Sequence, residues 1–400
     1  MSTKIMRLGV FGTKRGCAYM KIFSEMPDVK ITAICEKDPE GLERGRKYWN
    51  EDTKVFSDFE EFISSGLFDA VLRTNYFHEH APYAIKAMKR GIHVLSETTA
   101  AATLGECVDL VRAVEETGCK YMLAENYPFM CACQELKRVY AGGTLGDVLF
   151  AEGEYVHPMR PEEANFYAPF KYHWRRHIPC TYYLTHALSP LMHMTGTMPK
   201  KVNGRAVFSP DYATARERFV ADRAGIMMCE MDNGAIFRIS GSCSFGPHAN
   251  WYRLACDKGG IETVRSNQAD VWLSYNSWEK PEGVEEASRI YHAEWQEQGE
   301  LASKAGHGGG DFWVCWHFVR YILDDVKPYF DVYRAVAMSA VGICGWLSIL
   351  EDGKTMEIPD FTKEEERRKV ENDRRTPFPN EDGTGITLPR SSKPFNPSYM

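Results

Sequence analysis

The 400-residue sequence predicts an α/β protein in which an N-terminal doubly wound parallel sheet precedes an α+β domain with a large, mainly antiparallel sheet. Short apolar strands alternate with amphipathic helices over roughly the first 130 residues, and longer strands begin at Val148. The length also exceeds what one hydrophobic core usually fills. We expect domains at 1–128 and 129–361, then a charged helix and a Pro-rich tail or arm at 362–400.

The N-terminal strands are short apolar segments separated by helical patterns. Asp38-Pro39 begins one helix, with proline at a position that needs no N–H donor. Thr103 and Glu106 form a capping box before another helix. Such strand–helix–strand units imply parallel strands with right-handed crossovers. The predicted strands are Ile5–Phe11, Val29–Cys35, Ala70–Arg73, His93–Leu95 and Tyr121–Ala124.

The composition excludes several classes of protein. A net charge of −7 without a basic run argues against a nucleic-acid partner. No apolar stretch is expected to reach the ~18 residues that span a membrane. The N-terminus enters a predicted strand directly, so no secretory signal is expected. The twelve cysteines are scattered, which favours a reduced cytoplasmic protein over a disulfide scaffold.

A glycine-rich turn follows the first predicted strand, in the segment Gly9-Val-Phe-Gly12-Thr-Lys-Arg-Gly16. It departs from G-x-G-x-x-G because the middle glycine is missing, yet Glu36 ends the next strand 20 residues after Gly16. An acid at this position can bind both ribose hydroxyls of an adenosine, so the segment predicts a Rossmann domain that binds NAD rather than NADP. Lys14 and Arg15 leave an alternative open, since they could accept a 2′-phosphate or simply contact the pyrophosphate.

With these residues the chain resembles the Gfo/Idh/MocA oxidoreductases, the family of glucose–fructose oxidoreductase and inositol dehydrogenase. The likeness extends from Ile5 to about Phe361. The resemblance implies a sugar substrate and a homodimer or homotetramer formed through the second-domain sheet. It is carried by AICEKDPEG, FDAVLRTNYFHEHAPYAIKAMKRGIHVLSE, AENYPF, GTLGDVLFAEGEYVH and GHGGGD.

One family feature is absent. The fifth strand of the family usually ends in Glu-Lys-Pro, whose lysine assists proton transfer, whereas this chain has Glu97-Thr98-Thr99. A branch of NAD-dependent glycosidases, which includes α-N-acetylgalactosaminidases, lacks the lysine in a similar way. Its Tyr-Pro-Thr-His motif resembles Tyr183-Leu-Thr-His186.

The turn and the resemblance together assign the site residues. The loop Thr74–His80 is one residue longer than in the family, so His78 and His80 stay alternatives for one position. His173 and His177 lack a third ligand of suitable spacing, and no metal is expected. Catalytic or substrate positions fall on Tyr155, Tyr183 and His186, with His307 as a further substrate candidate. Cofactor positions fall on Gly9, Gly12, Lys14, Arg15, Gly16, Glu36, Thr74, Asn75, His78, His80, Glu97, Thr98, Asn126 and Arg175.

Histidine suits the chemistry that these positions imply, because it exchanges protons near neutral pH. His186 is therefore the predicted acid/base, although a buried structural histidine is the alternative. Three functions stay open. They are oxidation of a ring hydroxyl, with C3 as the candidate carbon, a glycosidase that works by transient oxidation, and a non-catalytic sugar or nucleotide sensor.

Overall fold

The computed structural model describes residues 4–208, 220–243 and 245–393, which form two compact units. Unit 1 comprises the chain up to Met130 together with Gln296–Val336 and Phe361–Asn372. Unit 2 comprises Cys131–Trp295, Ala337–Asp360 and the chain from Asp373.

The domain limits drawn from the sequence differ from this division, because part of 129–361 returns to unit 1. The amide of Leu123 donates to the carbonyl of Phe330 at 3.0 Å, which attaches the returning segment to the edge of the first sheet. The 362–400 segment is also divided between the units. Arg367 binds Glu115 in unit 1, and the indole of Trp346 donates to the carbonyl of Pro389 at 2.8 Å in unit 2.

The sheet of unit 1 has six parallel strands in the order β3-β2-β1-β4-β5-β6, which confirms the predicted doubly wound parallel sheet. The short strand β3 was not predicted, because three residues carry too little periodicity to be recognised. The strands are β1 Met6–Phe11, β2 Val29–Cys35, β3 Lys54–Phe56, β4 Ala70–Arg73, β5 His93–Ser96 and β6 Tyr121–Leu123.

Helices cover this sheet, and local signals set their starts. Asp38 caps α2 by accepting from the amide of Glu40 at 2.9 Å. Thr103 and Glu106 form the predicted capping box of α5. The helices of unit 1 are α1 Thr13–Glu25, α2 Pro39–Gly45, α3 Phe59–Ser64, α4 His80–Met88, α5 Leu104–Thr117, α9 Gly299–Ala302, α10 Gly310–Asp324 and α12 Glu364–Val370.

The sheet of unit 2 has nine strands in the order β14-β13-β12-β11-β7-β10-β9-β8-β15, and the pair β7–β10 is parallel among antiparallel neighbours. The predicted mainly antiparallel sheet is therefore confirmed. Its strands are β7 Val148–Val156, β8 Pro199–Val207, β9 Ala224–Met231, β10 Ile236–Ser242, β11 Ala249–Cys256, β12 Gly259–Val264, β13 Asn267–Tyr275, β14 Ser288–His292 and β15 Met356–Glu357.

Helix α8, Thr185–Thr195, lies against one face of this sheet with very little space between the two backbones. A Cβ atom on Gly153 of β7 would come within 2.0 Å of the carbonyl oxygen of Ala187. Only glycine permits this approach. The contact brings the first turn of α8 beside β7.

The other helices of unit 2 are α6 Cys131–Ala141 and α7 Pro161–Tyr167, and α11 Val332–Leu350 is divided between the two units. Contrary to the sequence expectation, α11 is long and apolar enough to span a membrane, with a mean hydropathy of 1.5. However, 89% of that apolar window is buried, and buried helices of soluble proteins have the same composition. The twelve cysteines are free thiols.

Candidate functional site

The turn between β1 and α1 packs against the end of β4. Gly12 has a φ of 88°, and a Cβ there would lie 3.0 Å from the backbone of Thr74. A Cβ on Gly16 would lie 3.1 Å from the Thr74 hydroxyl. Gly9 lies inside β1 instead, where a Cβ would come within 2.8 Å of the ring of Phe62. The structure thus places Gly9 within the strand, packed against the core and before the turn itself.

The carboxylate of Glu36 is fixed beside the start of α1. One oxygen accepts from the amide of Thr13 at 2.8 Å and from its hydroxyl at 3.0 Å. The other accepts from the amides of Lys37 and Asp38, both at 2.9 Å. Lys14 forms an ion pair with Asp38. The amine of Lys14 is thus already paired with a carboxylate, and a 2′-phosphate here would lie beside the carboxylates of both Glu36 and Asp38. The arrangement therefore favours a ribose with free hydroxyls.

The residues of unit 1 fit a dinucleotide. Gly12 is the N-cap of α1 and has no side chain to cover the first amides of the helix. The first turn of α1 also contains no acidic residue. These amides and the positive end of the helix dipole can therefore bind a pyrophosphate. At the end of β6, Asn126 Oδ1 is shielded from solvent and has no hydrogen-bond donor within the described ranges. It is an acceptor that a ribose hydroxyl can satisfy.

Glu97, at the end of β5, does have a cation beside it, and the cation is Arg15. The Nε of Arg15 donates to Glu97 at 2.5 Å, and its NH2 group donates to Asp311 at 3.2 Å and to the hydroxyl of Tyr19 at 3.0 Å. Burial lowers the pKa of Arg15, but Tyr19, Glu97 and Asp311 more than offset this and raise it well above its ordinary value. Arg15 therefore joins the ends of the first turn and the fifth strand.

Asp311 is the acceptor at the centre of this network, and it was missed as a site residue. The amide of Asn126 donates to it at 2.8 Å, and the Nδ1 of His307 lies 2.9 Å from its other oxygen. Burial raises the pKa of Asp311, but the hydrogen bond from His307 and the charge of Arg15 lower it below its ordinary range. The structure therefore places His307 in the network of unit 1, and its role toward a substrate stays a prediction. The glycine-rich turn before Asp311 is the feature of the sequence that could have identified it as a site residue.

His80 anchors the loop after β4. Its ring nitrogens lie 2.7 Å from the carbonyl of Thr99 and 3.2 Å from that of Asn75. Burial lowers its pKa to about 3, so the ring is neutral. Burial also lowers the pKa of His78, to about 4. Thr98 donates its amide to Glu97 at 3.0 Å. Of the two alternative histidines, His80 is the one that joins the ends of β4 and β5.

In unit 2 the three predicted catalytic residues lie together. The ring of His186 is centred 5.0 Å from the ring of Tyr155 and 5.5 Å from that of Tyr183. The two tyrosine rings are 6.0 Å apart. His186 is the second residue of α8, and the hydroxyl of Tyr252 donates to its carbonyl at 2.9 Å. The approach of α8 to β7 thus creates the cluster.

Arg175 also belongs to this cluster, although the sequence placed it with the cofactor residues. Its NH1 group donates to the hydroxyl of Tyr183 at 3.2 Å, and its guanidinium lies 4.5 Å from the ring centre of Trp174. Within the described part of unit 2, its polar side-chain contact is with a tyrosine and not with a carboxylate.

Two histidines of this cluster were missed. His157 directly follows β7, and its ring is centred 5.9 Å from that of Tyr155 and 5.3 Å from that of His248. Burial lowers the pKa of His157, and the nearby His248, His186 and Arg175 lower it further. The spacing Tyr155-x-His157 would have indicated one strand face, but nothing in the sequence joins His248 to it.

His173 and His177 have other partners. Nδ1 of His173 accepts from the amide of Arg175 at 3.3 Å, and the ring nitrogens of His177 lie 3.1 Å from the carbonyl of Lys171 and 2.6 Å from Arg390. The described residues contain no group of three or more potential metal ligands.

Three protein-family models match the chain. They describe an oxidoreductase family with an NAD-binding Rossmann fold, at residues 6–125, the GFO/IDH/MocA C-terminal domain, at 133–262, and the C-terminal domain of glycosyl hydrolase 109, at 245–367. The chain belongs to the Gfo/Idh/MocA family. It is an enzyme of an oxidoreductase family, and NAD is its cofactor. The alternative of a non-catalytic sensor thereby loses its support.

Relatives of this Gfo/Idh/MocA chain include two proteins called glycosyl hydrolase family 109 protein. The one from Shewanella pealeana is 23% identical over 90% of this chain and 86% of its own length. The one from Parabacteroides distasonis is 25% identical over 90% and 87%. Among solved structures, levoglucosan dehydrogenase with NADH is 18% identical, with a TM-score of 0.77 over 89% of this chain and all of its own.

Proposed function

We propose that this enzyme oxidises a ring hydroxyl of a sugar or glycoside, with C3 as the candidate carbon and His186 as the base that accepts the hydroxyl proton. The observation that carries the proposal is the packing of His186 against Tyr155 and Tyr183 in a chain whose other unit binds NAD. A hydride leaves a carbon only when the proton of its hydroxyl has an acceptor, and imidazole is suited to that role.

The residues of the two units have separate tasks in this proposal. Gly12, Gly16 and Glu36 would hold the cofactor, which supplies a hydride acceptor when bound. Tyr183 polarises the substrate oxygen, because its own hydroxyl oxygen accepts from Arg175 and its proton is the group it can offer. His186 then carries the proton that the hydroxyl loses.

A second candidate, a glycosidase, shares this first step. It is favoured by the match to the glycosyl hydrolase 109 C-terminal domain and by the absence of lysine after Glu97. A ketone at C3 acidifies the hydrogen at C2. A base removes that proton, the substituent at C1 leaves, water adds, and the hydride returns to C3. The net reaction is hydrolysis, with no change in the cofactor.

One experiment tests both candidates. The protein is incubated with NAD and a panel of free sugars and aryl glycosides in D2O, while NADH absorbance and released sugar are followed together. Accumulation of NADH with a ketosugar is the result expected for the oxidoreductase. Sugar released without NADH and carrying deuterium at C2 would establish the glycosidase, whereas release without that deuterium would exclude its mechanism. No turnover and no NADH with any sugar contradicts both.

We also propose that the outer face of the unit 2 sheet joins copies of the chain into a homodimer or homotetramer. The strand register aligns one row of side chains across this face. The centre of the row is formed by ion pairs, and exposed apolar residues flank it. Trp272 is 41% exposed and Ile290 is 63% exposed. Exposed apolar surface of this kind is typical of protein interfaces. The row contains Met228, Arg238, Glu152, Arg253, Glu262, Trp272 and Ile290.

Light scattering tests this assembly. The wild type is expected at two or four times its chain mass of 45.6 kDa, and Trp272→Glu is expected to shift it toward one, because the buried charge would lack a partner. Val326→Glu is the control, since Val326 is also an exposed apolar residue but lies in unit 1, at 56% exposure. A monomeric wild type would refute the proposal.

A further inference from the structure

We infer that the His186 cluster recognises a sugar bearing an anionic substituent, a carboxylate or a sulfate ester, and that Arg175 binds that group. The inference that the ligand is a sugar depends on the proposed function. The inference that the ligand is anionic depends only on the residues of unit 2. Nothing in the acid/base role of His186 requires an arginine beside it.

Arg175 is half-buried, and no carboxylate of the described residues forms an ion pair with it. Its Nε is shielded from solvent and has no acceptor in the described part of the chain, and its NH1 group donates to the neutral hydroxyl of Tyr183. The guanidinium also lies over the rings of Trp174 and Tyr167, at 4.5 Å and 5.7 Å from their centres. These aromatic walls hold the side chain without neutralising it.

Two histidines, whose rings can donate N–H hydrogen bonds, also lie in this cluster. The ring of His157 is centred 5.3 Å from that of His248, and the charge of Arg175 acts on His157. Across residues 4–208, 220–243 and 245–393, no carboxylate forms an ion pair with Arg175, His157 or His248. The groups that face Arg175 are otherwise the phenols of Tyr155 and Tyr183 and the thiol of Cys243.

Unit 1 of the same chain shows the contrast. There Arg15 is bound by two carboxylates, those of Glu97 and Asp311, so the chain supplies the counter-charges itself. A shielded cation without such a partner is costly in a folded protein unless a ligand completes it. Arg175 is therefore better explained by a charge that arrives with the ligand.

A carboxylate or sulfate fits this guanidinium better than a sugar hydroxyl does. The guanidinium presents parallel N–H donors that match two oxygens of one anion, and charge-assisted bonds of this kind are about twice as strong as neutral ones. Nε and a terminal nitrogen of Arg175 form one such edge. A neutral hydroxyl satisfies one donor and leaves the charge uncompensated.

The test compares binding of matched sugars to the NAD-loaded protein by calorimetry. The pairs are the methyl glycosides of glucose and glucuronic acid, those of galactose and galacturonic acid, and glucose with glucose 6-sulfate. The wild type is expected to bind an anionic member at least about tenfold more tightly than its neutral partner. Arg175→Gln is expected to reduce that ratio to near one, and Arg175→Lys to retain part of it.

Arg205→Gln is the control, since Arg205 is an exposed residue of the same unit that pairs with Asp352. It is expected to leave the ratio unchanged. Equal binding of neutral and anionic sugars by the wild type overturns the inference, and so does a preference that survives in Arg175→Gln. The wild-type comparison decides the matter even if a variant does not fold. Anion preference without any turnover would remove the proposed function alone, and turnover of neutral sugars without anion preference would remove this inference alone.

Discussion

Replacing His186 with asparagine is expected to lower kcat by about 10²- to 10⁴-fold, which is the usual contribution of a positioned acid or base. The protein should still bind NAD, because the residues that fit the dinucleotide lie in unit 1. Stopped-flow measurement of NADH formation gives the loss of rate.

His193→Asn is the matched control for this prediction. His193 lies two turns further along α8, is similarly buried and lies 2.7 Å from the amine of Lys137. It belongs to the same helix but not to the cluster of Tyr155 and Tyr183, so kcat should change little. If His186→Asn folds, binds NAD and keeps kcat within about threefold of the wild type, the proton acceptor is another group.

Only part of the site around His186 could be predicted from the sequence. The chain segment around Tyr183 carries a short motif that resembles a known one, and the structure brings Tyr155 next to it. His248 carries no such motif. It lies beside His157 because β11 pairs with β7, and strand pairing between distant segments depends on the whole sheet.

Most of the fold could be predicted because it also depends on local patterns. Strands, helix caps and the acid after β2 are local patterns, and each has a local physical cause. The capping box at Thr103 needs only four residues, and the position of Glu36 needs only the length of one strand–helix–strand unit. The return of Gln296–Val336 to unit 1 has no local cause, since it depends on contacts such as that between Leu123 and Phe330.

The environment of Glu97 could not be predicted from the sequence, because its partners are distant along the chain. In the sequence this acid stands at a strand end with no cation near it. In the fold, Arg15 reaches it from 82 positions earlier in the chain, and Asp311 reaches the same arginine from 296 positions later. Three charges thus form one network, and it can be recognised only when the ends of three elements are brought together.

Replacing Arg15 with methionine should therefore destabilise unit 1 by about 3 kcal/mol, because it leaves the carboxylates of Glu97 and Asp311 without their shared cation. This value is at the lower end for a broken buried ion pair, since the Arg15 side chain is 33% exposed whereas Asp311 is 1% exposed. Denaturant unfolding at neutral pH measures the loss. Arg7→Met is the control, because its pair with Asp69 is exposed and worth less than about 1 kcal/mol.

The pH dependence of this loss separates electrostatics from packing. The pKa of Asp311 is lowered in the folded protein, so its contribution to stability is present above its unfolded pKa of about 3.9 and is lost as the pH falls toward the folded value. Without Arg15 that pKa should rise toward its ordinary range. The stability difference between wild type and Arg15→Met should then be largest at neutral pH and shrink below about pH 4. A difference that does not vary with pH, or one no larger than that of Arg7→Met, would mean that Arg15 acts through its packing and not through its charge.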